Sequence, residues 1–230
     1  MKFRPCIDIH NGKVKQIVGG SLLDQGDQAV ENFAADQEAD YFANLYKKDG
    51  LKGGHVILLN PSTSEYYPET KKQALKALQT YQDGLQIGGG ITVENAEEYM
   101  KAGASHVIVT SYVFKNGEIY WDNLQNLCDA VGKEHVVLDL SCRKKDEKYY
   151  IVTDRWQTFT NVELNTDILE KLSGYCDEFL VQQRYIQDLV LPLSILKFFR
   201  WCLCLWINSP FISKPASVKY ICSTEKYSCN

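Results

Sequence analysis

The sequence predicts an α/β fold, either a (β/α) barrel or an open doubly wound sheet, and three observations support this. Short apolar runs alternate with longer amphipathic stretches between residues 2 and 181. Glycines follow the amphipathic stretches, where a left-handed helix cap is favoured. The 230 residues are 45% hydrophobic and 23% charged, a composition that excludes disorder and a fibrous fold. The net charge of -4 argues against general electrostatic binding to nucleic acid or anionic membrane.

Each predicted element has its own pattern. The apolar runs predict six parallel strands, at residues 3–9, 55–59, 85–87, 106–110, 136–140 and 178–181. The amphipathic stretches predict helices at residues 39–48, 69–81, 93–101, 121–131 and 166–172. We expect the glycines just past these helices to adopt the left-handed conformation: Gly50, Gly84, Gly103, Gly132 and Gly174.

Two connections, 11–38 and 141–164, are longer than a βα loop requires. Loops of this length in a compact domain are usually active-site lids. In a (β/α)8 barrel both would rise from the C-terminal face of the barrel, where catalytic residues lie.

Two aspartates stand at the ends of predicted strands. Asp8 ends the first strand and Asp139 the fifth, and each places a carboxyl group in an otherwise apolar run. The alternative for either residue alone is a strand-end aspartate that caps a loop. In an eight-stranded barrel the first and fifth strands face each other, so the pair would flank one substrate as acid and base.

A glycine run at residues 88–90 follows the third strand and opens a helix. Backbone N–H groups of Gly89 and Gly90 would approach an oxyanion there, helped by the helix N-terminus. Thr110 and Ser111 end the next strand and would complete a phosphate cradle. The alternative is a tight turn that binds no ligand.

Three further residues are candidates for substrate binding. His55 begins the second strand and points into the barrel or to a backbone carbonyl. Trp156 lies in the second long connection and either stacks on a planar ring or anchors the loop. Arg143 adds positive charge beside a phosphate, or is a solvated loop residue.

The eight cysteines and the absence of a secretory signal predict free thiols in a reducing compartment. Cys202 and Cys204 lack the spacing typical of a metal site, and we expect no metal. Residues 189–207 are mostly apolar, but Lys197, Arg200 and Pro192 argue against a membrane anchor.

Four segments carry a family resemblance: FRPCIDIHNGKVKQIVGG at 3–20, the glycine turn at 88–90, HVIVTSYVF at 106–114 and LDLSCRKK at 138–145. Together they resemble the ProFAR (phosphoribosylformimino-5-aminoimidazole carboxamide ribotide) isomerases of histidine biosynthesis, of plant and fungal type. The resemblance runs from residue 3 to residue 181.

The resemblance implies a (β/α)8 TIM barrel that performs an Amadori rearrangement, converting an aminoaldose to an aminoketose without metal or organic cofactor. It implies that Asp8 is the base and Asp139 the acid. It also implies that Gly89, Gly90 and Ser111 bind one phosphate of a bis-phosphorylated small molecule. The expected protein is a monomer with no nucleic-acid or membrane partner. It works in the plastid stroma of a plant, with the transit peptide absent from this chain, or otherwise in the cytoplasm.

The sequence changes character near residue 181. Residues 182–230 contain no glycine and four of the eight cysteines. The resemblance implies a second phosphate cradle in the second half of the barrel. Asp139 follows Asp8 by 131 residues, and the residue 131 positions after Gly89 is Tyr220, in a region without glycine. We therefore predict two parts, a partial barrel of about six βα units at 1–181 and a divergent tail at 182–230. The alternative function is an inactive, truncated or mis-spliced variant that at most binds phosphosugar.

Overall fold

A computed structural model describes residues 4–17, 31–153 and 158–180 of the chain. The described strands are β1 (Cys6–His10), β2 (Lys13–Ile17), β3 (Glu31–Ala34), β4 (Gly54–Leu58), β5 (Leu85–Gly88), β6 (Ala104–Val109), β7 (Phe114–Lys115), β8 (Glu118–Ile119), β9 (Val136–Asp139), β10 (Cys142–Lys145), β11 (Lys148–Thr153), β12 (Thr158–Glu163) and β13 (Glu178–Leu180). The described helices are α1 (Ala39–Lys48), α2 (Tyr67–Thr80), α3 (Val93–Lys101), α4 (Trp121–Val131) and α5 (Thr166–Leu172), with a 3-10 turn at Lys133–His135.

The main sheet has eight strands in the order β13-β9-β6-β5-β4-β1-β2-β3. The six strands from β13 to β1 are parallel to their neighbours, and β2 and β3 continue the sheet in antiparallel pairing. This confirms the α/β class and the six predicted parallel strands. Within the described residues, β13 and β1 do not pair, so the sheet is not closed into a barrel there.

The helices cover one face of the sheet. Alternate strand residues such as Ile7, Val56 and Leu138 are buried in a core shared with helical residues such as Ala43 and Leu78. Burial of these apolar side chains is the main source of stability for the sheet and helix layers. The opposite face, which we call the inner face, carries a smaller apolar cluster of Ile108, Val137 and Leu180, with Ile57 packed against it.

The predicted elements are largely confirmed. Four helices have the predicted bounds, and α2 begins two residues early, at Tyr67, because Pro68 suits the first turn of a helix. Gly50, Gly103 and Gly132 have positive φ angles, but the cap prediction is wrong for Gly84 and Gly174. Asp83 takes the left-handed position instead, with a φ of 55°. Gly84 is needed because a Cβ there would overlap the ring of Tyr81.

The two long connections contain strands and are not simply irregular lids. The first contributes β2 and β3 to the edge of the main sheet, and the second forms a separate sheet in the order β10-β11-β12. A two-residue turn at Asp146 and Glu147, with φ angles of 48° and 64°, joins β10 to β11. Positive φ at both positions is the geometry of a type I′ turn, which favours a hairpin over an open loop.

No helix within the described ranges is long and apolar enough to cross a membrane. The apolar stretch at 189–207, the division of the chain at 181 and the tail cysteines fall outside the described residues.

Candidate functional site

Strand register places Asp8 and Asp139 on the same face of the sheet. Asp8 is aligned with Ile57 of β4, and successive strand pairs continue that row to Val137 of β9. Asp139 follows Val137 by two residues, and alternate residues of a strand point to one face. Both carboxyl groups therefore lie on the inner face, toward the C-terminal ends of the parallel strands.

The carboxyl group of Asp8 is almost excluded from water, since the residue is 7% exposed. The thiol of Cys6 donates a hydrogen bond to Asp8 Oδ1 over 3.2 Å. Burial raises the pKa of Asp8 to about 7, and the thiol lowers it by a smaller amount. A carboxyl group with this pKa exchanges its proton near neutral pH, as a general base or acid requires.

Asp139 receives more hydrogen bonds than Asp8. The backbone N–H of Ser141 donates to Asp139 Oδ1 over 2.9 Å, and the Ser141 hydroxyl donates to the same oxygen over 2.6 Å. The Thr110 hydroxyl donates to Oδ2 over 3.2 Å. Burial raises the pKa of Asp139, while the Ser141 and Thr110 donors and the charge of His55 act in the opposite direction.

The glycine turn leads from β5 directly into α3. Gly89 and Gly90 have φ angles of 97° and 71°, which favour glycine. A Cβ on Gly89 would overlap the backbone of Leu58, whereas one on Gly90 would meet open space. Asn95 stabilises the turn by accepting from the Thr92 N–H over 2.9 Å and donating to the Gly90 carbonyl over 3.0 Å. The turn thus presents backbone at a helix N-terminus, as an anion cradle requires.

Thr110 and Ser111 follow the C-terminal end of β6, the strand next to β5. The hydroxyl of Thr110 is directed to Asp139, and its carbonyl accepts from Val113 and Phe114. Ser111 is exposed to solvent. The phosphate-binding role of these two residues stays a prediction.

The other candidates are distributed over the fold. His55 is buried, pairs with Cys6 and Gln86 on neighbouring strands, and acts electrostatically on Asp139. Arg143 lies on β10 with its guanidinium carbon 4.9 Å from the centre of the Phe159 ring. Trp156 lies outside the described residues. Among the residues that the structure describes, no group of three or more His, Cys, Asp and Glu side chains is placed to bind a metal ion.

Sequence reasoning missed two donors to the aspartates, Cys6 and Ser141. Each stands two residues from its aspartate, and this spacing on a strand end was a readable signal. It also missed an interior contact at the N-terminal ends of the strands, where Arg4 and Gln86 both donate to Glu178. Arg4 and Glu178 are 174 residues apart, so no local pattern indicated their contact.

Comparison with known proteins adds independent evidence. Residues 2–183 match the model of a family described as histidine biosynthesis protein. A chloroplastic protein of Medicago truncatula whose name is that of a ProFAR isomerase is 54% identical over 185 residues, covering 79% of this chain and 58% of that protein. Isomerases of the same name from Yarrowia lipolytica and Saccharomyces cerevisiae are 47% and 40% identical over 82% and 87% of this chain.

The chain spans only part of these relatives, namely 58% of the Medicago protein, 70% of the Yarrowia protein and 76% of the Saccharomyces protein. The matched range nevertheless spans the positions of Asp8, Asp139 and the glycine turn. By this match the chain belongs to the family of histidine biosynthesis proteins.

Proposed function

We propose that this chain carries the active site of a ProFAR isomerase, which converts the aminoaldose to its aminoketose by an Amadori rearrangement. The observation that carries the proposal is the pair Asp8 and Asp139, both on the inner face, with Asp8 in the middle of β1 and Asp139 at the C-terminal end of β9. The names of the relatives support this choice of reaction over others that two carboxyl groups perform.

In the proposed mechanism, Asp139 donates a proton to the ribose ring oxygen, and the ring opens. Asp8 then removes the proton from C2′ of the open-chain iminium ion, and the resulting enolamine becomes the ketone of the product when C1′ gains a proton and the C2′ hydroxyl loses one. The raised pKa of Asp139 keeps a proton available for donation. The pKa of about 7 for Asp8 makes this carboxylate a stronger base than a solvated aspartate.

One phosphate of the substrate would bind at Gly89 and Gly90, where backbone amides precede α3. Ser111 would donate from the next strand, and Arg143, His55, Thr110 and Trp156 are the remaining candidates for substrate contacts. The proposed substrate is a bis-phosphorylated small molecule, acted on by a monomer without cofactor. We extend the proposal to the plastid for a plant chain, following the name of the Medicago protein, and to the cytoplasm for a fungal one.

A second candidate is a protein that binds phosphosugar without turning it over. It is favoured by the change in composition after residue 181. In this case the chain divides into a partial barrel at 1–181 and a divergent tail at 182–230. The family match, which ends at residue 183, supports that division.

The deciding experiment measures conversion of ProFAR to its ribulosyl isomer by the purified full chain and by its Asp139→Asn variant. We expect turnover by the unchanged chain and a loss of at least 100-fold in kcat for the variant, because general acid catalysis typically contributes 10²- to 10⁴-fold. Binding of ProFAR without turnover by the folded chain would contradict the isomerase proposal and favour the second candidate. Equal turnover by both proteins would contradict the role of Asp139.

A further inference from the structure

Ser141, which follows Asp139 by two positions, contacts two parts of the fold. Ser141 is 4% exposed and directs both its hydroxyl and its backbone N–H to one oxygen of Asp139, over 2.6 and 2.9 Å. Its carbonyl accepts from the N–H of Val152 in β11 over 2.8 Å. Ser141 therefore links the carboxyl group at the end of β9 to the β10-β11-β12 sheet.

The intervening residue is also held in place. The backbone N–H of Leu140 donates to the carbonyl of Leu180 in β13 over 2.7 Å, and its side chain is fully buried. The chain from Asp139 to Ser141 is thus fixed on both sides, by β13 and by β11. With the backbone fixed, rotation of the Asp139 side chain would break two hydrogen bonds from one residue, so its orientation is strongly specified.

We propose that Ser141 is a positioning residue for Asp139, which fixes the orientation of its carboxyl group and stabilises its ionised form. Its part in catalysis rests on the proposed isomerase function, in which Asp139 becomes a carboxylate when it gives up its proton. A donor that holds this nascent carboxylate stabilises the transition state of ring opening more than the bound substrate. Removing the hydroxyl then lowers kcat while KM changes little.

The titratable groups that face Asp139 come from other strands. His55 of β4 favours the carboxylate through its charge, and Cys142 of β10 interacts electrostatically with it. The neutral hydroxyl of Thr110 on β6 binds the other carboxyl oxygen. Replacing Ser141 by alanine removes its hydroxyl contact with Asp139 and keeps its backbone N–H donor, so the effect of the hydroxyl is separable.

The test uses the full chain labelled with ¹³C in aspartate carboxyl groups, with Asp139 assigned through the Asp139→Asn variant. NMR titration compares Ser141 with Ser141→Ala and with Ser141→Thr, which keeps a hydroxyl. We expect Ser141→Ala to shift the titration midpoint of Asp139 to higher pH. In Ser141→Thr, which keeps a hydroxyl, the midpoint should lie close to that of the unchanged chain. Ser173→Ala is the matched control, because the Ser173 hydroxyl donates to the exposed backbone of Glu170.

Turnover supplies a second, independent measurement. For an active chain we expect Ser141→Ala to lower kcat roughly tenfold, which corresponds to the loss of one hydrogen bond to a charged group. We also expect the alkaline limb of the pH profile of kcat to move to higher pH. Should Ser141→Ala fail to fold, Ser141→Cys replaces it, and its weaker donor predicts a smaller shift in the same direction.

The outcomes separate this proposal from the isomerase proposal. A Ser141-dependent titration shift in a chain that does not turn over ProFAR supports the positioning role and contradicts the isomerase. An unchanged Asp139 titration in folded Ser141→Ala overturns the positioning role, whatever the activity. A kcat loss that Ser141→Thr does not recover also overturns it.

Discussion

The carboxyl group of Asp8 shows how burial gives an ordinary side chain an unusual acidity. Water reaches little of it, and one thiol donor from Cys6 offsets only part of the desolvation of its charged form. Asp139 is half-buried at the end of β9 and has three donors, two of them from Ser141. The aspartates and the donors two residues from each were readable in the sequence, whereas their burial and the Thr110 contact depend on how the strands pack.

Replacing Asp8 by asparagine is expected to stabilise the fold at high pH. Because the folded pKa is about 7 and the ordinary value is 3.8, the folded state holds a proton that the unfolded state loses between these pH values. The contribution of Asp8 to stability therefore falls as pH rises from about 4 to 7. We expect Asp8→Asn to raise the free energy of unfolding at pH 8 by about 1–4 kcal/mol.

Urea denaturation at pH 4 and pH 8 checks this expectation. The stabilisation by Asp8→Asn should be much smaller at pH 4, where the unchanged carboxyl group is already protonated. Asp36→Asn, at an exposed position, is the control and should change little at either pH. A variant with Asp8→Asn that is less stable than the unchanged protein at pH 8 would contradict the raised pKa.

Among the elements, the hairpins and the glycine turn depend on residues with positive φ. Asn11 and Gly12 join β1 to β2, and Asn116 and Gly117 join β7 to β8, all with positive φ angles. Asn-Gly is the strongest short-range signal for a type I′ turn, so both hairpins were readable in the sequence. The Asp146 and Glu147 turn lacks that signal, since its geometry is imposed by pairing of the flanking strands.

The glycine turn offers a matched pair of substitutions. Gly89→Ala combines a positive φ with a Cβ that overlaps the backbone of Leu58, whereas Gly90→Ala has a positive φ and open space. We expect Gly90→Ala to cost about 1 kcal/mol of unfolding free energy and Gly89→Ala roughly 3 kcal/mol or more. Chemical denaturation measures both, and equal losses would show that the close approach to Leu58 is unimportant.

For the molecule as a whole, the Arg4 and Glu178 contact joins the beginning of the chain to its last described strand. Arg4 precedes β1 and Glu178 begins β13, and these strands do not pair with each other. Gln86 of β5 donates to the other oxygen of Glu178 over 3.2 Å. The sheet must curve around its inner face to bring these three strands together. This network lies at the N-terminal ends of the strands, opposite the aspartates, where a stabilising role is typical.

Glu178→Gln is expected to lower the free energy of unfolding by about 3 kcal/mol, because it leaves the partly buried Arg4 cation without its carboxylate partner. Glu65→Gln, at an exposed position before α2, should change it by less than about 0.5 kcal/mol. Thermal and urea denaturation of both variants provide the measurement. Similar stability of the two variants would mean that the interior ion pair does not hold the curved sheet.

The amino-acid sequence by itself determined the order of the six parallel strands and the five helices, because apolar periodicity and helix-capping residues are local properties. It also placed Asp139 and the glycine turn at strand ends, which is where the structure has them, whereas Asp8 lies in the middle of β1, which extends to His10. Only the tertiary structure decided that both aspartates share the inner face, since that depends on the register of four strand pairs. The pKa of Asp8 and the contact of Arg4 with Glu178 were also decided there, because burial and contacts between distant residues exist only after the chain has packed.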